Sequence, residues 1–222
     1  MLIKKILLPI LLMCCNSISY AQNTALTKEE AVNYLNKKVK EAIGHYITVD
    51  FGGTLGKKTL HFWSSSVSLS GDKITVFRDR ANYKERQYAQ KTWVSGHGYQ
   101  YFYPCDYFTI NDQLTFNPIH ILKIEKYDGD VAGEPVGSVK VTLKSNSGIF
   151  KRTAGSVTSK FTDPNSNFYG RCVDFKEQSD SQSTNTIYIS YLKADDTNFN
   201  KIKKALEYLR DLLKAEDDPF GP

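Results

Sequence analysis

The stretch of residues 186–213, TIYISYLKADDTNFNKIKKALEYLRDLL, changes from the pattern of a strand to the pattern of a helix. Ile187, Ile189 and Tyr191 recur at every second position, which is the period of a half-buried strand. After a short connector, apolar residues recur at steps of three and four, which is the period of one helix face. They are Phe199, Ile202, Leu206, Leu209 and Leu213. The short connector favours packing of this helix on its own sheet; the alternative is that the helix docks in a partner subunit.

The same two periods occur upstream of this stretch. Residues 26–43 predict a helix that ends at Gly44, because Thr27 and Glu30 can form a capping box and apolar residues follow at helical spacing. Period-two alternation occurs at 46–51, 73–76 and 138–143, and we expect further strands at 59–69, 107–110, 119–127 and 170–175. The sequence therefore predicts the α+β class, with an N-terminal helix, about seven antiparallel strands in a bent sheet, and a C-terminal amphipathic helix.

This order of elements resembles a pleckstrin-homology-like barrel. The resemblance is carried by the strand at 186–192, the helix at 199–213, and the entry into a middle strand at Asn117-Pro118-Ile119. In that architecture the final helix closes one end of a bent sheet or barrel. The closing helix has Leu and Tyr where the family often has Trp, and Lys57 and Lys58 lack the partnered Arg of the family's lipid sites. The resemblance thus implies a shape and no ligand.

The first 21 residues have the three parts of a secretory signal peptide. Lys4 and Lys5 form a positive region, residues 6–13 are apolar, and Ser19 and Ala21 are small residues at a cleavage site. We expect cleavage after Ala21 and export to the periplasm or the cell exterior. The alternative is a lipoprotein acylated at Cys14 or Cys15. The apolar run is too short to cross a bilayer, which needs about 20 residues.

Removal of this leader would change both the charge and the cysteine count. Residues 22–215 are then expected to form one domain, followed by an acidic tail at 216–222. Loss of Lys4 and Lys5 lowers the 29 basic residues to 27 against 24 acidic ones, so the net charge falls from +5 to +3. That charge is too small to favour a nucleic-acid partner. Cys105 and Cys172 remain, as one disulfide in an oxidising compartment or as two separate buried thiols.

No motif in the chain indicates catalysis, a metal site or a cofactor. Residues 52–59 are glycine-rich, but a strand pattern follows where a phosphate loop needs a helix, so we predict a hairpin turn. The four histidines lack the paired spacing of zinc ligands. Cys105 with His97 or His120 is the one conceivable thiol nucleophile and base. The acidic turn at 128–134 lacks the ligand ladder of a calcium loop.

The aromatic residues Trp93, Tyr99, Tyr101 and Tyr103 are the candidate ligand or partner surface. In a strand, the three tyrosines share one face. An exposed aromatic face can stack on sugars or on the side chains of a partner. Tyrosine is equally common in ordinary sheets, where cross-strand aromatic pairs stabilise the ladder. Both interpretations remain open from the sequence.

A basic run, Arg78, Arg80, Lys84 and Arg86, is interrupted by acidic residues. Mixed charge of this kind predicts a solvated loop. The alternative is a surface for an anionic partner, such as a lipid headgroup or a surface polysaccharide. Added salt would weaken binding of that kind.

Two functional hypotheses follow. The first is an exported non-enzymatic module that binds an unknown protein, glycan or anionic envelope component, with no transmembrane segment in the mature chain. The second is an exported hydrolase acting on an envelope polymer, which needs converging carboxylates or a Cys–His pair.

Overall fold

The computed structural model describes residues 26–53 and 56–217. The predicted leader, with Cys14 and Cys15, lies outside the described residues, as do the last five residues of the predicted acidic tail. Two α-helices and eleven strands are described. They are α1 (Lys28–Lys40), β1 (Tyr46–Asp50), β2 (Lys57–Ser70), β3 (Lys73–Ala81), β4 (Gln90–Val94), β5 (Gly98–Phe102), β6 (Phe108–Phe116), β7 (Ile121–Lys126), β8 (Val136–Leu143), β9 (Gly148–Lys160), β10 (Cys172–Thr184), β11 (Thr186–Leu192) and α2 (Asn198–Asp217), with a 3-10 turn at Pro118–His120 before β7.

The strands form three sheets with only antiparallel pairings among them. The large sheet has the order β1-β2-β3-β6-β9-β10, a second sheet has the order β11-β8-β7, and β4 and β5 form a separate two-stranded ribbon. The predicted α+β class with antiparallel sheets is confirmed. The strand count exceeds the prediction because β4, β5 and β9 lack a clean apolar alternation. The described pairings leave the sheets open and do not close them into a barrel.

The C-terminal helix packs in its own domain. Ile202, Leu206 and Leu209 on α2 are fully buried, and Leu213 is nearly so. Ile202, Leu206 and Leu209 join one core cluster with the inner faces of both sheets. The three-stranded sheet contributes Val139, Val141, Ile187 and Ile189 to it, and the large sheet contributes Ile74, Val76 and Leu114. Burial of a leucine or isoleucine side chain stabilises a fold by about 1.5–3 kcal/mol. The apolar stripe that predicts this helix is therefore used inside the domain. No helix of the described chain is long and apolar enough to span a bilayer.

Helix α1 begins as the sequence predicts and ends earlier. The Thr27 side chain accepts a hydrogen bond from the Glu30 N–H, and the Glu30 carboxylate accepts one from the Thr27 N–H, so the capping box is present. The helix ends at Lys40 instead of Ile43, whose side chain is exposed. Gly44 has φ +82°, and its N–H donates to the Phe62 carbonyl, which turns the chain toward β1.

The expectation of a solvated basic loop is wrong for Arg78 and Arg80. Both lie on β3 and point to the same face as Ile74 and Val76, where they are buried. There they surround Asp112 of β6, which is fully buried. Burial alone would raise the pKa of Asp112, but the neighbouring guanidinium groups outweigh it and hold that pKa well below its usual range. Lys84 and Arg86 are exposed, and the Arg86 guanidinium pairs with the Asp79 carboxylate over 2.8 Å.

Candidate functional site: an aromatic ribbon

Strands β4 and β5 form a hairpin with one strongly exposed aromatic face. Trp93 lies opposite Tyr99, and Lys91 lies opposite Tyr101. Because side chains alternate along a strand, these four residues share one face of the ribbon. Trp93 is 62% exposed, Tyr99 61% and Tyr101 49%. We call this face, made of Lys91, Trp93, Tyr99 and Tyr101, the aromatic ribbon.

The rings of the aromatic ribbon contact one another and a cation. The centroids of Trp93 and Tyr99 are 5.1 Å apart, and their planes are nearly perpendicular, at 76°. The Lys91 ammonium lies 4.6 Å from the centroid of Tyr99 and 5.9 Å from that of Tyr101. Such cation–π contacts limit the motion of the lysine side chain. The surface therefore offers ring faces, phenol hydroxyls and one positive charge to a ligand.

The opposite face of the same hairpin is buried only at Val94 and Phe102, while Gln90 is exposed and Thr92 and Gln100 are half-buried. Val94 and Phe102 pack with Phe161 and Val173 in a small core of their own. Phe168 stacks on Phe102 with centroids 4.9 Å apart. A two-stranded hairpin alone is marginally stable in water, so this core is what holds the ribbon in place.

A disulfide fixes the base of the ribbon. Cys105, three residues after β5, is bonded to Cys172, the first residue of β10, with the two Cα atoms 5.0 Å apart. Next to it, the Tyr103 N–H donates to the Cys172 carbonyl over 2.9 Å. The structure thus contains the predicted Cys105–Cys172 disulfide, which is compatible with an exported protein. Because the Cys105 sulfur is part of this disulfide, it is not a free thiol that could act as a nucleophile.

Tyr103 does not join the other three candidate residues. Its ring stacks on Phe175, at 5.4 Å, and on Tyr107, at 6.3 Å. These rings belong to a second cluster that lies against the outer face of the large sheet and includes Trp63 and Tyr83. Tyr107 is buried, and burial raises its pKa. The structure therefore brings together Trp93, Tyr99 and Tyr101 and assigns Tyr103 to sheet packing.

Two further exposed aromatics lie in the loops before β4 and β10, and the sequence does not predict them. Tyr88, in the loop before β4, is 80% exposed, and Tyr169, in the loop before β10, is 63% exposed. Tyr88 lines a cavity of about 320 Å³ beside Arg171 and the disulfide. Both tyrosines are in loops, where no periodicity indicates which side chains point outward. Lys91 was missed too, because its place opposite Tyr101 depends on the hairpin register.

Two of the three carboxylates at the 128–134 turn accept hydrogen bonds from backbone groups. Asp130 accepts a hydrogen bond from the Ser138 N–H, and Glu134 accepts one from the Thr48 N–H. Burial raises the pKa of Asp130, and the Ser138 hydrogen bond opposes that shift. Both side chains line a cavity of about 540 Å³. Among the residues that the structure describes, no three His, Cys, Asp or Glu side chains are grouped so that they could hold a metal ion.

The chain was compared with known proteins, and it matches no protein-family model, no curated protein and no solved structure.

Proposed function

We propose that this protein is an exported, non-enzymatic binding module and that the aromatic ribbon is its ligand surface. The observation that carries the proposal is the exposure of Trp93, Tyr99 and Tyr101 together on a hairpin whose other face packs on a small core through Val94 and Phe102. Exposed aromatic clusters of this kind are typical of interaction sites. Burial of a tryptophan and two tyrosines would lower the free energy of the folded protein, so their shared exposure indicates that a partner covers them. The disulfide and the small core behind the ribbon favour binding by reducing the ordering that a ligand would have to impose.

The chemistry of the ribbon favours a segment of an anionic glycan. The aromatic ribbon is an exposed face on two strands of five residues each, so it fits an extended chain better than a small enclosed molecule. Trp93 offers a ring to the apolar face of a sugar, while the tyrosine hydroxyls can hydrogen-bond its polar edge. Strands β4 and β5 contain Lys91 and no acidic residue, which favours a ligand that bears negative charge.

The pleckstrin-homology-like shape remains part of this proposal. Strand β11 runs into α2, which packs against the three-stranded sheet, and that order supports the likeness. No ligand is inferred from it, because the proposed surface is the β4–β5 ribbon and not a loop between the first two strands.

Affinity electrophoresis tests the proposal with two polymers. Gels containing polygalacturonate, an acidic glycan, are compared with gels containing dextran, a neutral one. We expect retardation by polygalacturonate, and we expect Trp93→Ala to weaken that binding by about tenfold. Leu122→Ala is the matched control, because Leu122 is similarly exposed, at 59%, and lies on β7, in a different sheet from the hairpin. This control should bind like the unmodified protein.

Three results would contradict the proposal. If neither polymer retards the protein, the ribbon does not bind glycans of this class. If Trp93→Ala and Leu122→Ala have equal effects, the binding surface lies elsewhere. If the protein instead co-sediments with vesicles containing phosphatidylserine and ignores polygalacturonate, the ribbon is a membrane contact and the glycan assignment is wrong.

A further inference from the structure

Strand β10 is an edge strand of unusual exposure. It pairs with β9 from Cys172 to Thr184, except at Asp174, whose φ is +58°, and it ends the strand order of the large sheet. At its first residue, the other edge is occupied, because the Tyr103 N–H donates to the Cys172 carbonyl. Beyond that point, no described strand pairs with this edge.

The middle of β10 covers no core. All eight residues from 176 to 183 are exposed, so both faces of the strand meet solvent. Half of the backbone N–H and C=O groups of an edge strand point away from its sheet. Such a row is a template for another strand, and β10 contains no proline that would block pairing.

The charges of β10 are self-complementary in one register. Two antiparallel copies joined into a continuous sheet are related by a two-fold axis perpendicular to that sheet, so opposed residues share one face. With the axis at Gln178, Lys176 of each copy lies opposite Asp180 of the other. An axis at Glu177 would oppose Glu177 to itself, and an axis at Asp180 would oppose Asp180 to itself. Like charges placed directly opposite each other are destabilising.

We propose that β10 pairs with β10 of a second copy of this chain, antiparallel and centred on Gln178. The large sheets of the two copies then form one continuous sheet, with two Lys176–Asp180 ion pairs on one of its faces. The paired segment runs from Phe175 to Ser181. It stops before Asp174, whose left-handed φ of +58° interrupts the extended strand, and before Cys172, where Tyr103 already occupies the edge. This inference concerns the opposite edge strand from β1 and does not depend on the aromatic ribbon.

Sedimentation velocity over a range of protein concentrations tests the pairing. We expect the unmodified protein to dimerise reversibly. Lys176→Asp opposes two acidic residues and Asp180→Lys opposes two lysines, so each variant alone should dimerise at least about tenfold more weakly. An equal mixture of the two variants restores both ion pairs and should regain the dimer. Lys73→Asp, an identical charge change at the exposed start of β3, is the control and should leave dimerisation intact.

All three substituted side chains are exposed. Residue 180 lies opposite Arg152 of β9 within its own chain, and mixing the two variants leaves that contact unchanged while it restores the ion pairs between copies. A protein that remains monomeric at every concentration overturns the proposal. So does a dimer that Lys176→Asp and Asp180→Lys leave unchanged. If both variants lose the dimer but their mixture does not regain it, the register centred on Gln178 is wrong.

Discussion

At the scale of single residues, Gly155 leaves room for the Phe175 ring to pack on the outer face of the large sheet. It lies on β9, and a Cβ atom built there would meet the Phe175 ring at 2.3 Å and the Thr109 hydroxyl at 2.8 Å. Its backbone does not require glycine, since its φ is outside the left-handed region. The absence of a side chain at Gly155 is therefore needed for space. It lets the Phe175 ring lie over β9 and contact Tyr103 and Tyr107.

Gly155→Ala is expected to destabilise the protein by about 1–3 kcal/mol, because the Phe175 ring must leave its place. Denaturant unfolding measures the loss. In a double-mutant cycle, Gly155→Ala should cost clearly less when Phe175 is already alanine, since the clashing ring is then absent. Equal costs in both backgrounds would show that the ring is not what excludes a side chain at this position.

At the scale of elements, the ribbon is held by contacts that are distant in sequence. The disulfide closes a loop with a sequence separation of 67 residues between Cys105 and Cys172. The buried face of the hairpin packs on residues from the loop before β10 and from β10 itself. Strands β4 and β5 pair with each other and with no further described strand. The position of the ribbon therefore depends on the disulfide and on a few aromatic side chains.

Replacing both cysteines, Cys105→Ser with Cys172→Ser, is expected to cost about 4 kcal/mol, the loop-closure entropy of a bridge of this span. Hydrogen exchange should show where the loss is felt first. Amides of β4 and β5 should exchange much faster in the variant, while amides of β8 and β11, in the central core, should change only through global stability. Equal acceleration in both places would show that the disulfide does not specifically hold the ribbon.

At the scale of the whole molecule, the buried cluster around Asp112 joins the two main sheets. Arg78 Nη2 lies 2.8 Å from Asp112 Oδ2, and Arg152 Nε of β9 lies 2.7 Å from Oδ1. Arg80 completes the set around the same carboxylate. Arg78 also donates to the Tyr188 carbonyl on β11, in the other sheet. Three guanidinium groups on one buried carboxylate thus fix the register of β3, β6 and β9 and their docking on β11.

Asp112→Asn is expected to destabilise the fold by about 3–5 kcal/mol, since it removes the single negative charge among three buried or half-buried cations. The effect should depend on pH. Because the pKa of Asp112 is lower in the folded protein than in the unfolded chain, its ionised form stabilises the fold above about pH 4. That contribution is lost as the pH falls from there toward the folded-state pKa.

Free energies of unfolding measured from acid to neutral pH check this prediction. The gap between the unmodified protein and Asp112→Asn should be constant near neutrality and should shrink below about pH 4. Asp128→Asn, at an exposed turn, is the control and should leave stability nearly unchanged at every pH. A gap that does not vary with pH would mean that lost packing, and not lost charge, explains the effect.

Features that depend on nearby residues could be predicted from the sequence, and features that depend on distant strands could not. Alternation marked β3, β8 and β11, and helical spacing marked both helices, because these periods reflect which face of one element is buried. The alternation of β3 extends further than the sequence analysis used it. Arg78 and Arg80 follow Ile74 and Val76 at every second position, which predicts that both arginines face the core. Strand β9 was not predicted, since its residues 151–160 are mostly polar and gain their place from two neighbouring strands.

The α+β class, the capped first helix, the closing amphipathic helix and a pair of cysteines able to form a bridge can all be read from the amino-acid sequence. These features depend on residues within a few positions of each other or on composition. Three other features require the folded chain: Trp93 faces Tyr99 while Tyr103 packs elsewhere, three arginines meet at Asp112, and β10 is an unpaired edge of the described sheet. Each of these depends on which distant strands become neighbours and in which register, and that is settled by packing of the whole chain.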